Sequence, residues 1–258
     1  MTYTQIITAI EENVLMVIID RESKMNALNA PLLQEIKHAV QAHETNKDVH
    51  GIIITGSGDK AFAAGADISE FAKFSNAEAE VLCRGGHEVM NTIEQYPKPV
   101  VAAVKGFALG GGCELAMACH FRVVGTSAKF GQPEVNLGVV PGYGGTQRLV
   151  HLIGRTKALE YLCTGSMINA EDAHTFGLAN YVVEDSEVID RSKALITKIA
   201  AKSPQAIGLV IRCVNACHAE GVDGYDTEIE AFSKSFATEE FIEGTTAFLE
   251  KRKANFRK

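Results

Sequence analysis

Apolar positions in the first twenty residues fall into two blocks, Tyr3–Ile10 and Val14–Asp20, split by the polar triplet Glu11-Glu12-Asn13. Two runs of this kind around a short polar gap predict a β-hairpin. The period then changes. From Pro31 to about Thr45, Leu32, Leu33, Ile36 and Val40 recur on one helical face, and proline suits a first helical turn, where its missing N–H would have no partner. Gly51–Thr55 reads as a short buried strand closed by Gly56 and Gly58, after which comes a loop of small residues. Helical spacing returns over about Glu78–Gln95, until Pro97 and Pro99 stop it and launch the strand Val100–Val104. A further helical run, Cys113–Cys119, follows a triple glycine.

Strands alternating with helices through residues 1–187 predict an α/β layered core with crossover connections. From Val188 the pattern is helical only, in four segments: Val188–Ala201, Pro204–Glu220, Tyr225–Phe236 and Glu239–Ala254. Residues 188–258 are therefore expected to form an α-helical region packed on the core or on another subunit.

The chain has 258 residues, 46% of them apolar and 22% charged. At that length roughly 75% of the unfolded surface can be buried, so a core needs neither disulfide nor structural metal. Twenty-five Lys and Arg stand against 32 Asp and Glu, a net charge of -7. An acidic body argues against non-specific nucleic-acid binding, which depends on basic surface, while leaving room for a local cationic pocket. The longest apolar runs are strand-sized, which predicts no membrane span. Glu11 and Glu12 near the N-terminus, with no Arg before Arg21, fit neither a signal nor a transit peptide. A bacterial cytoplasmic location is expected, and a mature mitochondrial matrix form would look the same. Six scattered cysteines form no CxxC; Cys213, Cys217 and His218 share a helical turn but lack a second ligand pair, so free thiols and no metal are expected.

Three glycine-rich segments carry the candidate chemistry: Ala61-Phe-Ala-Ala-Gly-Ala-Asp67, Gly106-Phe-Ala-Leu-Gly-Gly-Gly-Cys-Glu-Leu115, and Gly131-Gln-Pro-Glu-Val-Asn-Leu-Gly138 running on to Pro141-Gly-Tyr-Gly-Gly-Thr-Gln-Arg148. The middle one enters a helix, whose first N–H groups have no internal partner and face an anion favourably. It is not a nucleotide cradle: Cys-Glu follows Gly110–Gly112 where a P-loop has Gly-Lys-Ser/Thr. Ser57-Gly-Asp-Lys60 matches Ser-x-x-Lys without its companion motifs, and no GxSxG or HExxH occurs. Tight turns are the plain alternative for any one of these segments. Glu114 and Glu134 add to the picture, because each is a lone acid in a charge-poor segment. There a carboxylate is desolvated and its pKa rises, and two facing one cleft suit general acid and base work; a dipole-favoured helix acid and a surface loop acid remain the alternatives.

Ala61–Asp67, Gly106–Leu115, Gly131–Gly138 and Pro141–Leu149 together resemble the enoyl-CoA hydratase (crotonase) family in order and spacing, and the likeness runs to Phe248-Leu-Glu-Lys-Arg-Lys-Ala-Asn-Phe256. The resemblance implies a spiral of ββα units with a C-terminal helical region that builds homotrimers, commonly paired into hexamers. It implies a lyase of fatty acid β-oxidation that acts on an acyl-CoA thioester, with no metal and no cofactor beyond the coenzyme A of the substrate.

By position, the N–H groups of Ala66 and Gly111 form an oxyanion hole, and Glu114 and Glu134 are the catalytic pair that adds water across a 2-enoyl thioester. Ala27, Ala64, Gly65, Asp67 and Ile68 fall at substrate-binding positions, as do Gly110, Pro133, Gly142 and Tyr143. Lys60 and Lys251 match phosphate-contacting positions, with Lys24 near the adenine pocket. Two departures stand out: Ser69 where family members often carry Lys after Asp-Ile, and Tyr143 where many hydratases have a small residue. Ile68–Phe74 and the helix Glu78–Gln95 are expected to wall the acyl tunnel. A Δ3,Δ2-enoyl-CoA isomerase manages with one carboxylate near Glu134, whereas a branched-chain (methylglutaconyl-type) hydratase uses the same pair. Some relatives bind RNA through Lys-rich helices; here Glu35, Lys37, Glu44 and Lys47 alternate in sign, and no nucleic-acid partner is expected.

Overall fold

A computed structural model describes residues 2–257. Strands β1 (Ile6–Glu11) and β2 (Val14–Ile19) form the expected hairpin, but Glu11 pairs with Val14, so the turn is only Glu12-Asn13. Both turn residues have positive φ, 49° and 63°, the two-residue geometry that follows strand twist. Helix α1 (Ala30–Ala42) starts at Asn29, whose side chain accepts the Leu32 N–H at 2.9 Å. It stops short of Thr45, and Lys98 Nζ donates to the carbonyls of His43 and Asn46 just beyond its end.

Strand β3 (Gly51–Gly56) follows, and the expected loop of small residues contains a second strand, β4 (Ala61–Ala64). After the short α2 (Ile68–Phe71) comes α3 (Asn76–Glu94), started by a reciprocal capping box between Ser75 and Glu78. The pattern strand, strand, helix then repeats: β5 (Val100–Val104), β6 (Phe107–Leu109) and α4 (Gly111–Ala118), then β7 (Phe121–Gly125) and β8 (Lys129–Gly131). Next come α5 (Gly145–Ile153), α6 (Arg155–Thr164), β9 (Met167–Asn169), α7 (Ala170–Thr175) and β10 (Tyr181–Val183).

Four helices finish the chain: α8 (Val188–Ala200), α9 (Pro204–Ala216), α10 (Gly224–Ser235) and α11 (Glu239–Leu249). All four end earlier than the periodicity suggests, α8 and α10 by a single residue and α9 and α11 by about a turn. Helix α11 closes where Lys251 turns left-handed, φ 56°, and the Arg252 N–H bonds back to the Ala247 carbonyl. Among the described residues no single helix is long and apolar enough to cross a membrane.

The strands sort into two sheets. The larger has the order β1-β2-β3-β5-β7-β10, parallel beyond the first hairpin; the smaller is β4-β6-β8-β9, parallel through its first three strands. Each of β3, β5 and β7 lies in the large sheet and passes directly into its successor in the small one, so every ββα unit is one turn of a spiral. This is the α/β spiral of ββα units that the resemblance implies. The principal core joins these sheets to α1, α3 and α4, while a second cluster packs Val188, Leu195 and Ile196 of α8 under Val14, Met16, Ile53 and Val101. Strands covered on both faces read as continuous apolar runs, as β3 and β5 do.

Candidate active site

Three parallel strand ends build the site. Ala64 of β4 pairs with Leu109 of β6, and Leu109 with Gly131 of β8, so the loops leaving them start at one level. Ala66 and Gly111 each lie two residues past a paired position on neighbouring strands. Neither N–H has a protein acceptor among the described residues. For Gly111 the cause is plain: it opens α4, and the first N–H groups of a helix have no partner within it. Gly110 just before it has φ 48° and ψ -123°, and a Cβ there would lie 2.8 Å from Glu134 Oε1, so only glycine fits.

The two acids come from different elements. Glu114 lies in the first turn of α4 and is only 1% exposed. Its Oε1 accepts the N–H groups of Tyr143 and Gly145, both at 2.7 Å. Burial lifts its carboxyl to about 7 against those two hydrogen bonds, and the charge of Glu134 adds to the rise. Glu134 is half-buried in a 3-10 turn, Pro133–Leu137, and burial raises its carboxyl too. Gln132, with its amide nitrogen toward Glu134, donates to both carboxylate oxygens at 3.1 Å. The structure thus brings Ala66, Gly110, Gly111, Glu114 and Glu134 together, along with Gly65, whose Cα is 3.6 Å from the Cβ position of Gly110.

Four supporting residues carry roles that the sequence did not reveal. Arg21 Nη2 pairs with Asp67 Oδ2 at 3.0 Å and Nη1 donates to the Ala27 carbonyl. Leu28 donates to Gly65 O and accepts from Asp67 N–H, so residues 65–67 are fastened along 27–28. Asn26, buried and left-handed at φ 57°, donates to the carbonyls of Ser57 and Ala61 and accepts the Arg21 N–H. Arg148 holds the other side: Nη1 donates to Tyr143 O at 2.9 Å, and Nη2 to Asn91 Oδ1 and Glu94 Oε2. Gln132 is the fourth.

A cavity of about 500 Å³ opens between α1, α2 and α3, lined mostly by apolar residues, among them Leu33, Phe74, Val81, Leu82 and Gly86. Phe74 and the N-terminal half of α3 line this cavity together with α1 residues that the sequence did not suggest, while Ile68 is exposed. Tyr143 packs its ring against Gly86. The neighbouring Gly142 approaches Cys83 Sγ, at 3.1 Å from its Cβ position.

The lysines lie outside this cluster. Lys24 ends a 3-10 turn and its charge helps hold the Asp67 carboxyl low, after the larger effects of Ser69 and Arg21. Lys60 is exposed just before β4, its carbonyl accepting the Phe107 N–H, and Lys251 is exposed beyond α11. Ser69 donates to Asp67 Oδ1 at 2.6 Å. Among the described residues no group of three or more His, Cys, Asp or Glu could hold a metal, and Cys213 Sγ points to the Thr227 carbonyl instead.

Chemically, N–H groups without a protein acceptor suit a developing negative charge, and carboxyls raised by burial suit proton transfer. Residues 9–258 match the family described as enoyl-CoA hydratase/isomerase. The crotonyl-CoA hydratase of Syntrophomonas wolfei is 48% identical over 257 residues, spanning 99% of both chains. The short-chain-enoyl-CoA hydratase of Clostridium acetobutylicum is 41% identical, over 98% of this chain and 97% of that one. The crystal structure of the enoyl-CoA hydratase from Bacillus anthracis matches with a TM-score of 0.91 at 34% identity, covering 98% of this chain and 99% of the other.

Proposed function

The chain belongs to the enoyl-CoA hydratase/isomerase family, and on that premise we propose that it adds water reversibly across the C2=C3 bond of a 2-trans-enoyl-CoA to give the 3-hydroxyacyl-CoA. The observation that carries this reading is the pair of desolvated acids beside Gly110 and Gly111. Because Oε1 of Glu114 is occupied by two main-chain donors, its second oxygen is left to orient a water. That water attacks C3 and gives its proton to Glu114, and the π electrons move toward the thioester oxygen. The N–H groups of Ala66 and Gly111 stabilise the charge where it develops, and a donor of this kind is worth about 3 kcal/mol. Glu134 then delivers a proton to C2; dehydration runs the steps backward.

Isomerisation needs one carboxylate, and a site for it has no use for a Glu114 fixed by two amides. We assign Lys24, Lys60 and Lys251 to the coenzyme A phosphates and adenine. We further assign trimers, or pairs of trimers, to the exposed apolar residues of the last helices, among them Val210, Val214, Ile229, Phe232 and Phe248. Sedimentation tests the second assignment.

Glu114→Gln and Glu134→Gln should each lower turnover of crotonyl-CoA by about a hundredfold or more with the fold intact, as loss of a general acid or base does. Near-normal turnover in both would remove the mechanism. A 3-methylated enoyl-CoA in the same assay separates a branched-chain hydratase.

A further inference from the structure

Two half-buried cations close two helix ends beside one small cavity, outside the site described above. Lys98 stands between Pro97 and Pro99, and its ammonium donates to the carbonyls of His43 and Asn46 just beyond α1. After α11 the chain turns back on itself. The Phe256 ring packs against α11 at Gly244, and Arg257 Nε then donates to the Ala200 carbonyl at the end of α8, at 2.9 Å. These bonds use two of the three ammonium hydrogens of Lys98 and one of the five guanidinium hydrogens of Arg257. Among the described residues the other hydrogens have no acceptor, and the His50 ring has no hydrogen-bond partner. No carboxylate of the described residues lies within ion-pair distance of any of the three side chains. His50, Lys98 and Arg257 all line one cavity of about 20 Å³, walled otherwise by three prolines, Ile199, Ala200 and Ile207. Burial lowers the pKa of each, and the charge of Arg257 lowers His50 and Lys98 further. Asp48, Glu44 and Glu240 act in the opposite sense from beyond ion-pair distance.

Like charges gathered between apolar walls focus a positive field, and a cleft of that kind concentrates counter-ions. About 20 Å³ is room for one water-sized occupant, which admits a monatomic ion and excludes a tetrahedral oxyanion of five heavy atoms. A water would accept the unused hydrogens but leave the two positive charges opposed; an anion answers both. We propose that this cavity binds a single halide ion, chloride in ordinary buffers, held by Lys98, Arg257 and His50. The ion joins three segments remote in sequence: the entry to β5, the joint between α8 and α9, and the residues that follow α11. It thereby fastens the C-terminal tail to the core. The assignment does not depend on the hydration reading.

The experiment melts wild type, Lys98→Gln, Arg257→Gln and His50→Ala while potassium chloride replaces potassium gluconate at constant ionic strength. Wild type should gain about 2–4 °C, saturating with chloride, as a ligand selective for the folded chain produces. Lys98→Gln and Arg257→Gln should melt lower in gluconate, because each also loses a helix-end bond, and should lose most of the chloride-dependent gain. His50→Ala keeps both helix ends, should lose about half of the gain, and serves if either of the other variants does not fold. Bromide should act as chloride does, and crystals grown in bromide should show an anomalous peak beside the Arg257 guanidinium that phosphate does not displace. A gain that grows linearly with chloride, or is equal in all four proteins, is a general salt effect and overturns the proposal. Absence of the bromide peak overturns it too, and displacement of that peak by phosphate overturns the assignment to a halide.

Discussion

The main-chain N–H of Tyr143 donates to Glu114 Oε1 at 2.7 Å, so this buried carboxyl is held by a loop and not by another side chain. That loop is in turn held by Arg148 through the Tyr143 carbonyl, with Asn91 and Glu94 steadying the guanidinium. Arg148→Met should lower kcat for crotonyl-CoA by about ten- to a hundredfold with a smaller change in KM, since small misplacements of reacting groups cost that much. Steady-state kinetics on the folded variant check this; unchanged kcat would mean the loop keeps its shape unaided.

Stability should carry the mark of the same carboxyl. Burial lifts Glu114 from 4.5 to about 7, so the folded chain binds its proton more tightly than the unfolded chain does. The resulting stability is fully present below about pH 4.5 and is lost as pH rises through about 7. Glu114→Gln cannot ionise. It should melt above wild type at about pH 8, and the gap should close by about pH 4.5. A melting difference independent of pH contradicts the raised carboxyl.

Arg21 acts on the other N–H donor. Its bonds to Asp67 and Ala27 clamp the segment that carries Ala66. Arg21→Gln should weaken binding of acetoacetyl-CoA, whose enolate places charge on the thioester oxygen, by about tenfold, as loss of an orienting partner does. Butyryl-CoA, which carries no such charge, should bind as before. Equal weakening of both ligands points to general loosening and not to the oxyanion site.

Gly112 bears on the spacing between β4 and α4. A Cβ there would run into the Ala63 carbonyl. Gly112→Ala should cost about 1–3 kcal/mol of stability through overpacking and push α4 off β4, carrying Gly111 with it. Denaturant unfolding and turnover should both fall; a neutral result would show that the two elements have slack.

Much of this was legible in the sequence because its signals are local. The hairpin, α1 and α3 announce themselves by period, and α1 also by Pro31 in its first turn. Glu114 and Glu134 stand out as acids in segments otherwise free of charge. By contrast β4, β6 and β8 are too short to show alternation, and they are strands only because each has a neighbour to pair with. Arg21, Asn26, Gln132 and Arg148 were not legible as functional residues. Three of them work through partners distant in the chain, and Gln132, two residues from Glu134, acts through an amide orientation assigned from its hydrogen-bonding neighbours. Tyr143 was visible as a departure, but only Gly86, in another helix, says where its ring goes.

The level strand ends of the small sheet have a consequence for how this scaffold can diversify. Peptide hydrogen bonding between β4, β6 and β8 works as a ruler: it sets where the loops carrying Ala66, Gly111 and Glu134 begin without reference to any side chain in the apolar cavity. On the proposed hydration reading, chemistry and selectivity are thereby written on separate parts of the molecule. The cavity wall of α1 and α3 can be redrawn for a new tail while the graduations of the ruler stay where they are.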